Sequence, residues 1–345
     1  MAHQSISGCA VVGCGYWGIN YARLFSELPQ VELRALCDIS LKRLEELEKR
    51  FPKPYKTPEL NQIINDKSIQ AVVVCTNPAD HFQTVRALLE AGKHVLVEKP
   101  MTTSSKDGRA LIKLAHEKGL ILMVGHIFLY HECIRKMKEY VSKKTCGDVY
   151  YIYTIRTNLG PIRNDVNALW DLAPHDIYIM NYLLDMQPQW VSAIASGFLR
   201  KPDCEDVGFI TLGYPNGVIG NIHVSWANPH KEREIVVVGS QQRIVFDDTS
   251  VEEKLKVFER GVTSEKEPLT FGEYQLSIRD GDIIIPNIRM SEPLKSQVLH
   301  FIECIQQGVQ PLTNGRNGLE VVEVLEAMNK SVISQGVPQY IQRTR

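Results

Sequence analysis

Cys9-Ala10-Val11-Val12-Gly13-Cys14-Gly15-Tyr16-Trp17-Gly18 runs from four apolar residues straight into a GxGxxG loop. A helix-like segment, Ile19 to Leu28, follows it. A second apolar run, Val31 to Cys37, ends in Asp38, 20 residues beyond Gly18. This strand–loop–helix–strand–acid array is the dinucleotide-binding pattern, and each part has a physical task. Gly13 permits the tight turn. Gly15 lets the backbone approach a pyrophosphate. Gly18 lets helix and strand pack closely. Tyr16 and Trp17 belong to the same loop, and the helix start offers free N–H groups to phosphate oxygens. Asp38 can accept hydrogen bonds from an adenine ribose, which favours NAD over NADP. No arginine follows it at once (Ile39, Ser40, Leu41).

Outward from this array the first third alternates strand and helix. Ala71 to Thr76 is a β-branched apolar run, as expected of a parallel strand buried on both faces. Ala79 to Ala91 reads as a helix, His94 to Val97 as a strand, Ser104 to Lys118 as a helix and Leu120 to Val124 as a strand. From about Asp148 the pattern becomes one of alternating strands: Val149 to Thr157, Trp190 to Phe198, Asp206 to Leu212, Val218 to Trp226, Arg233 to Gly239, Gln242 to Asp247 and Lys254 to Glu259. One helix, His175 to Leu184, interrupts them. Pro293 to Gln307 and Gly318 to Ser334 read as two closing helices. Thr263 to Met290 reads as a long loop with an irregular strand at Asp282 to Pro286. The expectation is a doubly wound parallel α/β Rossmann domain over 1–125, followed over 126–345 by an α+β domain with a mostly antiparallel sheet.

The chain has 345 residues, which suits two domains, and a formal net charge of −1, which gives no reason to expect nucleic acid or an anionic membrane as partner. The eight cysteines show no CxxC spacing and read as thiols of a reducing compartment. Met1 to Ser7 lacks the apolar stretch of a signal peptide, and no run has the length of a membrane span. A cytoplasmic protein is expected, with no metal site: His126, His131, His223 and His230 are scattered and read as structural or peripheral.

Ligands of open α/β sheets bind beyond the carboxyl ends of the strands. Beside the glycine loop and Asp38, two further loops lie there: Thr76-Asn77-Pro78, with His81 close behind, and Glu98-Lys99-Pro100. Lys99 could hold a substrate hydroxyl, or be a surface lysine at a strand end. In the second domain Asp171 and His175 are four apart and share a helix face. Pro174 is expected in the first turn of that helix, which would set His175 near its positive end and favour the neutral imidazole that a general base needs. The plainer alternative makes Asp171 an N-cap and His175 an interdomain histidine. Upstream, the polar stretch Arg156 to Leu169 could grip a polyhydroxylated or anionic substrate. Arg156, Arg163, Asn167 and Trp170 are its candidates.

With Gly13–Gly18, Glu98-Lys99-Pro100, Gly125-His126 and Asp171-x-x-x-His175 in order, the chain resembles the glucose–fructose oxidoreductase, inositol dehydrogenase and MocA-like family over essentially its whole length. The resemblance implies an NAD(P)-binding Rossmann domain and a sheet domain that carries the substrate and whose open face mediates oligomers, here a homodimer or homotetramer. It implies that Lys99 is the family's EKP lysine, with His175 the acid/base toward the reacting hydroxyl and Asp171 its partner. Within the family, Arg156 through Asn158-Leu159-Gly160-Pro161 to Trp170-Asp171 and His175-Asp176 looks like members acting on nucleotide sugars, such as UDP-N-acetylglucosamine 3-dehydrogenases. Arg156 and Arg163 would then meet the diphosphate. Many relatives carry an Arg-Phe pair shortly after Gly125-His126; here the run is Ile127-Phe128-Leu129-Tyr130. Two alternatives stay open. One is a free-sugar or inositol dehydrogenase. The other, of a different class, is a non-catalytic NAD-binding regulatory protein.

Overall fold

A computed structural model describes residues 8–160, 162–163, 165–199, 204–264 and 276–342. Met1 to Ser7 and, within the polar stretch, Pro161 and Asn164 lie outside the described residues. The chain divides into two compact units: Met1–Tyr130 with Ser291–Glu323, and His131–Met290 with Val324–Arg345.

The first unit begins with β1 (Gly8–Val12), α1 (Tyr16–Glu27), β2 (Glu32–Cys37) and α2 (Leu41–Arg50). Then come β3 (Tyr55–Thr57), α3 (Leu60–Asn65), β4 (Ala71–Val74) and α4 (Pro78–Glu90). β5 (His94–Val97), α5 (Ser105–Glu117) and β6 (Leu122–Val124) complete the alternation, and a 3-10 turn spans Ile127–Tyr130. The six strands pair in parallel in the order β3-β2-β1-β4-β5-β6. Direction of winding reverses between β1 and β4, so a crevice opens beyond their carboxyl ends. Valine-rich β1, β4 and β5 are buried along their whole length, as strands covered by helices on both faces must be.

The second unit holds α6 (Glu132–Ser142), β7 (Val149–Thr157), α7 (Ala168–Leu184), β8 (Trp190–Ser196), β9 (Val207–Gly213) and β10 (Ile219–Ser225). It continues with β11 (Glu232–Gly239), β12 (Arg243–Asp247), β13 (Leu255–Phe258), β14 (Gly261–Ser264), β15 (Leu276–Arg279) and β16 (Ile283–Ile284). The chain closes with α8 (Pro293–Gln307), α9 (Gly315–Ile333) and β17 (Gln339–Tyr340). Nine strands form one sheet in the order β16-β13-β12-β11-β7-β10-β9-β8-β17, antiparallel except for β7 and β10. Helix α7 packs on β7, β9 and β10. Glycine marks the contact: a methyl at Gly208 would stand 2.8 Å from Leu169, and one at Gly220 2.7 Å from Met180. Strand alternation sends Tyr151, Ile194, Phe209 and Ile219 to the opposite face, where they are exposed. No helix among the described residues is long and apolar enough to cross a membrane.

Three features differ from the sequence reading. Residues 126–130 and 291–323 belong with the first unit, because Leu294, Val298, Phe301 and Ile305 of α8 complete the core built by β1 and α1. Helices α2, α3 and α6 and strands β3, β14, β15 and β17 stand where the sequence pattern gives no element, and β15, paired with β14, lies within what reads as a long loop. Helix α7 starts at Ala168, not His175; Asn167 caps it by accepting the Trp170 N–H at 2.9 Å. Pro174 therefore lies inside the helix, and His175 is its eighth residue. The helix-end argument for a neutral His175 does not hold, since dipole effects fade within the first turn.

Candidate active site

At the carboxyl ends of β1 and β4 the glycine loop is wedged between its neighbours. Gly13 adopts φ +85°, and a methyl on it would stand 2.6 Å from the Cys75 carbonyl. Its N–H donates to Cys37 O at 2.8 Å. A methyl at Gly18 would stand 2.0 Å from Gly13 O. Gly15 is different: a methyl there meets nothing within 4 Å. Gly15 is also the N-cap of α1 and brings no side chain to the helix's first N–H groups. Tyr16 is exposed and Trp17 half-buried, edge to face at 5.4 Å. The Thr76 hydroxyl oxygen is buried without a hydrogen-bond partner among the described residues. An open approach to backbone donors and an orphaned hydroxyl in one crevice fit a dinucleotide.

Asp38 sits at the end of β2 with both oxygens engaged. Oδ2 accepts from the Cys14 N–H at 2.7 Å and from the Arg43 guanidinium at 3.0 Å; Oδ1 accepts from the Ser40 N–H at 2.9 Å. Arg43 comes from the first turn of α2, whose cap is Ser40. The residues directly after Asp38 (Ile39, Ser40, Leu41) give no sign of this cation. The signal for Arg43 was a helix start at Ser40, which brings a side chain three residues on back toward the strand end.

The third and fourth loops are tied together. His81 is fully buried, and its ring nitrogens reach Pro100 O at 2.8 Å and Thr76 O at 3.1 Å. This makes it a brace between the loops and not a surface that a cofactor can touch. Asn77 is exposed at the head of α4 and makes no side-chain cap. Lys99 and Glu98 are buried just past β5. Glu98 accepts from Tyr21 Oη at 2.8 Å and from the Lys99 N–H at 3.2 Å. His126 is buried nearby; burial first, and the Lys99 charge second, push its pKa down to about 3. The scattered spacing of His126, which reads as structural or peripheral, gives no sign of this neutral imidazole beside Lys99.

In the second unit Asp171 and His175 lie on one face of α7, both half-buried. Arg163 donates to Asp171 at 3.1 Å and to Asp165 at 2.9 Å and 2.6 Å. Arg156 points under α7 from β7, buried, and grips Asp176 with two hydrogen bonds of 2.9 Å and 2.8 Å. That fork-to-fork pair fixes the helix next to His175. Asn167 is the helix cap and also holds Glu205 at 2.7 Å. Trp170 is buried and donates to Asn329 at 2.9 Å. Thus Arg156, Asn167 and Trp170, expected at the substrate, build the frame of α7. Asp176 stands out in sequence only as the residue after His175, because a carboxylate there gives no sign of its partner 20 residues upstream.

Residues 7–126 match the profile described as an oxidoreductase family with an NAD-binding Rossmann fold, and residues 134–245 match the GFO/IDH/MocA C-terminal domain. The myo-inositol 2-dehydrogenase of Thermotoga maritima is 25% identical over 334 residues, 93% of this chain and 95% of that protein. The UDP-N-acetylglucosamine 3-dehydrogenase of Acidithiobacillus ferrooxidans is 27% identical over 218 residues, 62% of this chain and 66% of that protein. A crystal structure of a protein from gentamicin A biosynthesis in complex with NAD superposes with a TM-score of 0.81 at 24% identity, covering 99% of both chains. Family profiles over both units, the six-stranded parallel sheet with its glycine loop, and the nine-stranded sheet agree: the chain belongs to the GFO/IDH/MocA family and is an NAD-binding oxidoreductase.

Proposed function

We propose that this chain oxidises a ring hydroxyl of a sugar or cyclic polyol. The bound nicotinamide would accept the hydride. His175 takes the hydroxyl proton, Lys99 holds the oxygen as its charge develops, and Asp171 orients His175 or a neighbouring hydroxyl. The observation that carries the reading is Lys99: a buried lysine at the carboxyl end of β5, in the same row of loops as Gly15 and Thr76.

Two substrate classes divide on charge. The polar stretch before α7 and the Acidithiobacillus relative support C3 of UDP-N-acetylglucosamine. Against it, the two cations expected to meet a diphosphate already have carboxylate partners: Arg156 with Asp176, and Arg163 with Asp165 and Asp171. A guanidinium so engaged has its charge offset by the carboxylates and keeps only its remaining N–H donors for a phosphate. The geometry favours an uncharged polyol such as an inositol. The test is NAD reduction with myo-inositol, scyllo-inositol, D-glucose, UDP-glucose and UDP-N-acetylglucosamine. Turnover of the inositols above the UDP-sugars supports the uncharged class, the reverse order supports the nucleotide sugar, and no turnover removes the reading.

Tyr151, Ile194, Phe209 and Ile219 give the open sheet face an apolar character that a second copy of the chain would cover, as a homodimer or a homotetramer. Light scattering at micromolar concentration tests this, and a monomer would refute it. The eight unpaired cysteines suit a cytoplasmic setting.

A further inference from the structure

Tyr21 is the fully buried residue of α1 that carries a hydroxyl. Its Oη lies between two polar groups from distant parts of the chain. Gln297 Nε2 of α8 donates to it at 2.7 Å, and it donates to Glu98 Oε1 at 2.8 Å. The second Glu98 oxygen accepts the Lys99 N–H at 3.2 Å. Gly125 closes the carboxylate in from another side, since a methyl there would stand 2.9 Å from Oε1. The direction of the chain is fixed by proton count. A carboxylate only accepts, so the single phenolic proton goes to Glu98 and the Gln297 amide must fill the phenol's acceptor site. Burial, and then the Glu98 charge, push the Tyr21 pKa well above its ordinary value, so the phenol keeps its proton. Cys75 lies within reach of the Glu98 charge, and His126 within reach of the Lys99 charge. Burial raises the one and lowers the other, so both stay neutral.

Stability alone does not ask for this arrangement. Gln297 Oε1 is left buried without a hydrogen-bond partner among the described residues. Apolar side chains of similar volume would fill the same space without leaving an acceptor unsatisfied. What the arrangement does is hold one carboxylate at one angle beside Lys99.

We propose that Gln297, Tyr21 and Glu98 form a positioning chain for Lys99, fixing the Glu98 carboxylate and through it the direction in which the lysine leaves β5. This rests on the reading of Lys99 as the group that holds the reacting oxygen. Tyr21 and Gln297 are then positioning residues that act through Glu98 and never meet the substrate.

The test compares Tyr21→Phe, which keeps the ring and removes the proton, with Gln297→Leu, which removes the far link. With the fastest substrate of the sugar and inositol panel, Tyr21→Phe should lower kcat by about 10-fold to 100-fold, the range expected when support of a catalytic group is lost. Its NAD affinity and substrate KM should stay near wild type. Gln297→Leu should act in the same direction and less. Tyr21→Phe combined with Lys99→Met should be no slower than Lys99→Met alone, because the two changes act on one group. A second readout needs no substrate. After reductive methylation with carbon-13 formaldehyde, the dimethyl-lysine signal that Lys99→Met abolishes should move in Tyr21→Phe. A wild-type kcat with an unmoved signal overturns the proposal. So does a Tyr21→Phe defect of equal size on the Lys99→Met background. If Lys99→Met itself turns over at wild-type speed, the role of Lys99 falls, while the labelled signal still reports whether Tyr21 orients it.

Discussion

Gly15 and Gly18 stand three residues apart in one loop, and the structure assigns them different tasks that substitution by alanine can separate. At Gly18 the new methyl would lie 2.0 Å from Gly13 O, with Val11 Cγ1 at 3.4 Å. Carbon–oxygen contacts do not close below about 3 Å, so Gly13 O must retreat by roughly 1 Å. It has little room. Gly13 is held by its hydrogen bond to Cys37 O and backs onto Cys75 backbone atoms at 2.6 Å from its own methyl position. Backbone meets backbone, and no rotamer change relieves the clash. Overpacking of this kind costs about 1–3 kcal/mol, which for a unit of this size lowers Tm by roughly 2–10 °C. At Gly15 nothing lies within 4 Å, and φ −72° suits any residue. Gly15→Ala should change stability by less than about 1 kcal/mol.

Affinity for NAD should respond differently. In Gly15→Ala the methyl occupies the approach to the first N–H groups of α1. Loss of one charge-assisted hydrogen bond costs about 1.5–3 kcal/mol, a Kd raised by about 10-fold to 100-fold. Gly18→Ala displaces the same loop and should lose affinity as well as stability. Calorimetric titration with NAD and a thermal melt of each variant read the two quantities. A Gly15→Ala protein that binds NAD like wild type would show that the pyrophosphate does not sit on this loop. A Gly15→Ala protein destabilised as much as Gly18→Ala would show that Gly15 is a packing residue.

NAD should bind more tightly than NADP, and Asp38→Ser combined with Ile39→Arg should move the preference toward NADP, as paired titrations would reveal. Arg43 partly offsets the Asp38 charge, so Arg43→Ala should weaken NADP binding by about 2-fold to 5-fold, the scale of an exposed ion pair, and leave NAD nearly unchanged. Lys99→Met and His175→Asn should each lower the hydride-transfer rate by about 100-fold to 10,000-fold with folding and NAD affinity kept; a wild-type rate in either variant removes that residue from the mechanism. Stability should fall below neutral pH. Burial lowers His94 to about 4 and His126 to about 3, so each binds fewer protons folded than unfolded. Their stabilising contribution is complete above an unfolded pKa of about 6.5 and is lost as pH falls, at about 1.4 kcal/mol per pH unit for each. From pH 7 to 5.5 the sum is roughly 2–3 kcal/mol, to be read from urea midpoints. His94 accepts the Ile121 N–H through Nδ1 at 3.0 Å, an acceptor that protonation destroys. A midpoint that does not move over this range would contradict the assignment.

The parts legible in the sequence were those written in local pattern. GxGxxG after an apolar strand needs no distant partner to be read, and the alternating strands of the second unit carry their period of two in plain view. Asp171 and His175 share a helix face as their spacing implies. The start of α7 was not legible, because Pro174 imitates a first-turn proline while the cap is Asn167, seven residues earlier. Arg156 looks like a free cation in a polar stretch; only the pairing of β7 beneath α7 reveals Asp176 as its partner. Tyr21 and Gln297 meet across 276 residues, and no periodicity in either helix announces it. Helix α8 reads correctly as a helix, yet the unit it completes depends on which apolar surface it covers, and that is a property of packing.

In the proposed reaction a ring carbon gives its hydrogen directly to bound NAD while His175 takes the hydroxyl proton. The direct measurement is turnover of ring-deuterated myo-inositol, or of the best substrate in the panel labelled likewise, with mass analysis of the nicotinamide produced. The reduced NAD should carry deuterium and form at a rate that falls by about 100-fold or more in His175→Asn. Reduced NAD without deuterium, or formed equally fast by His175→Asn, would contradict it.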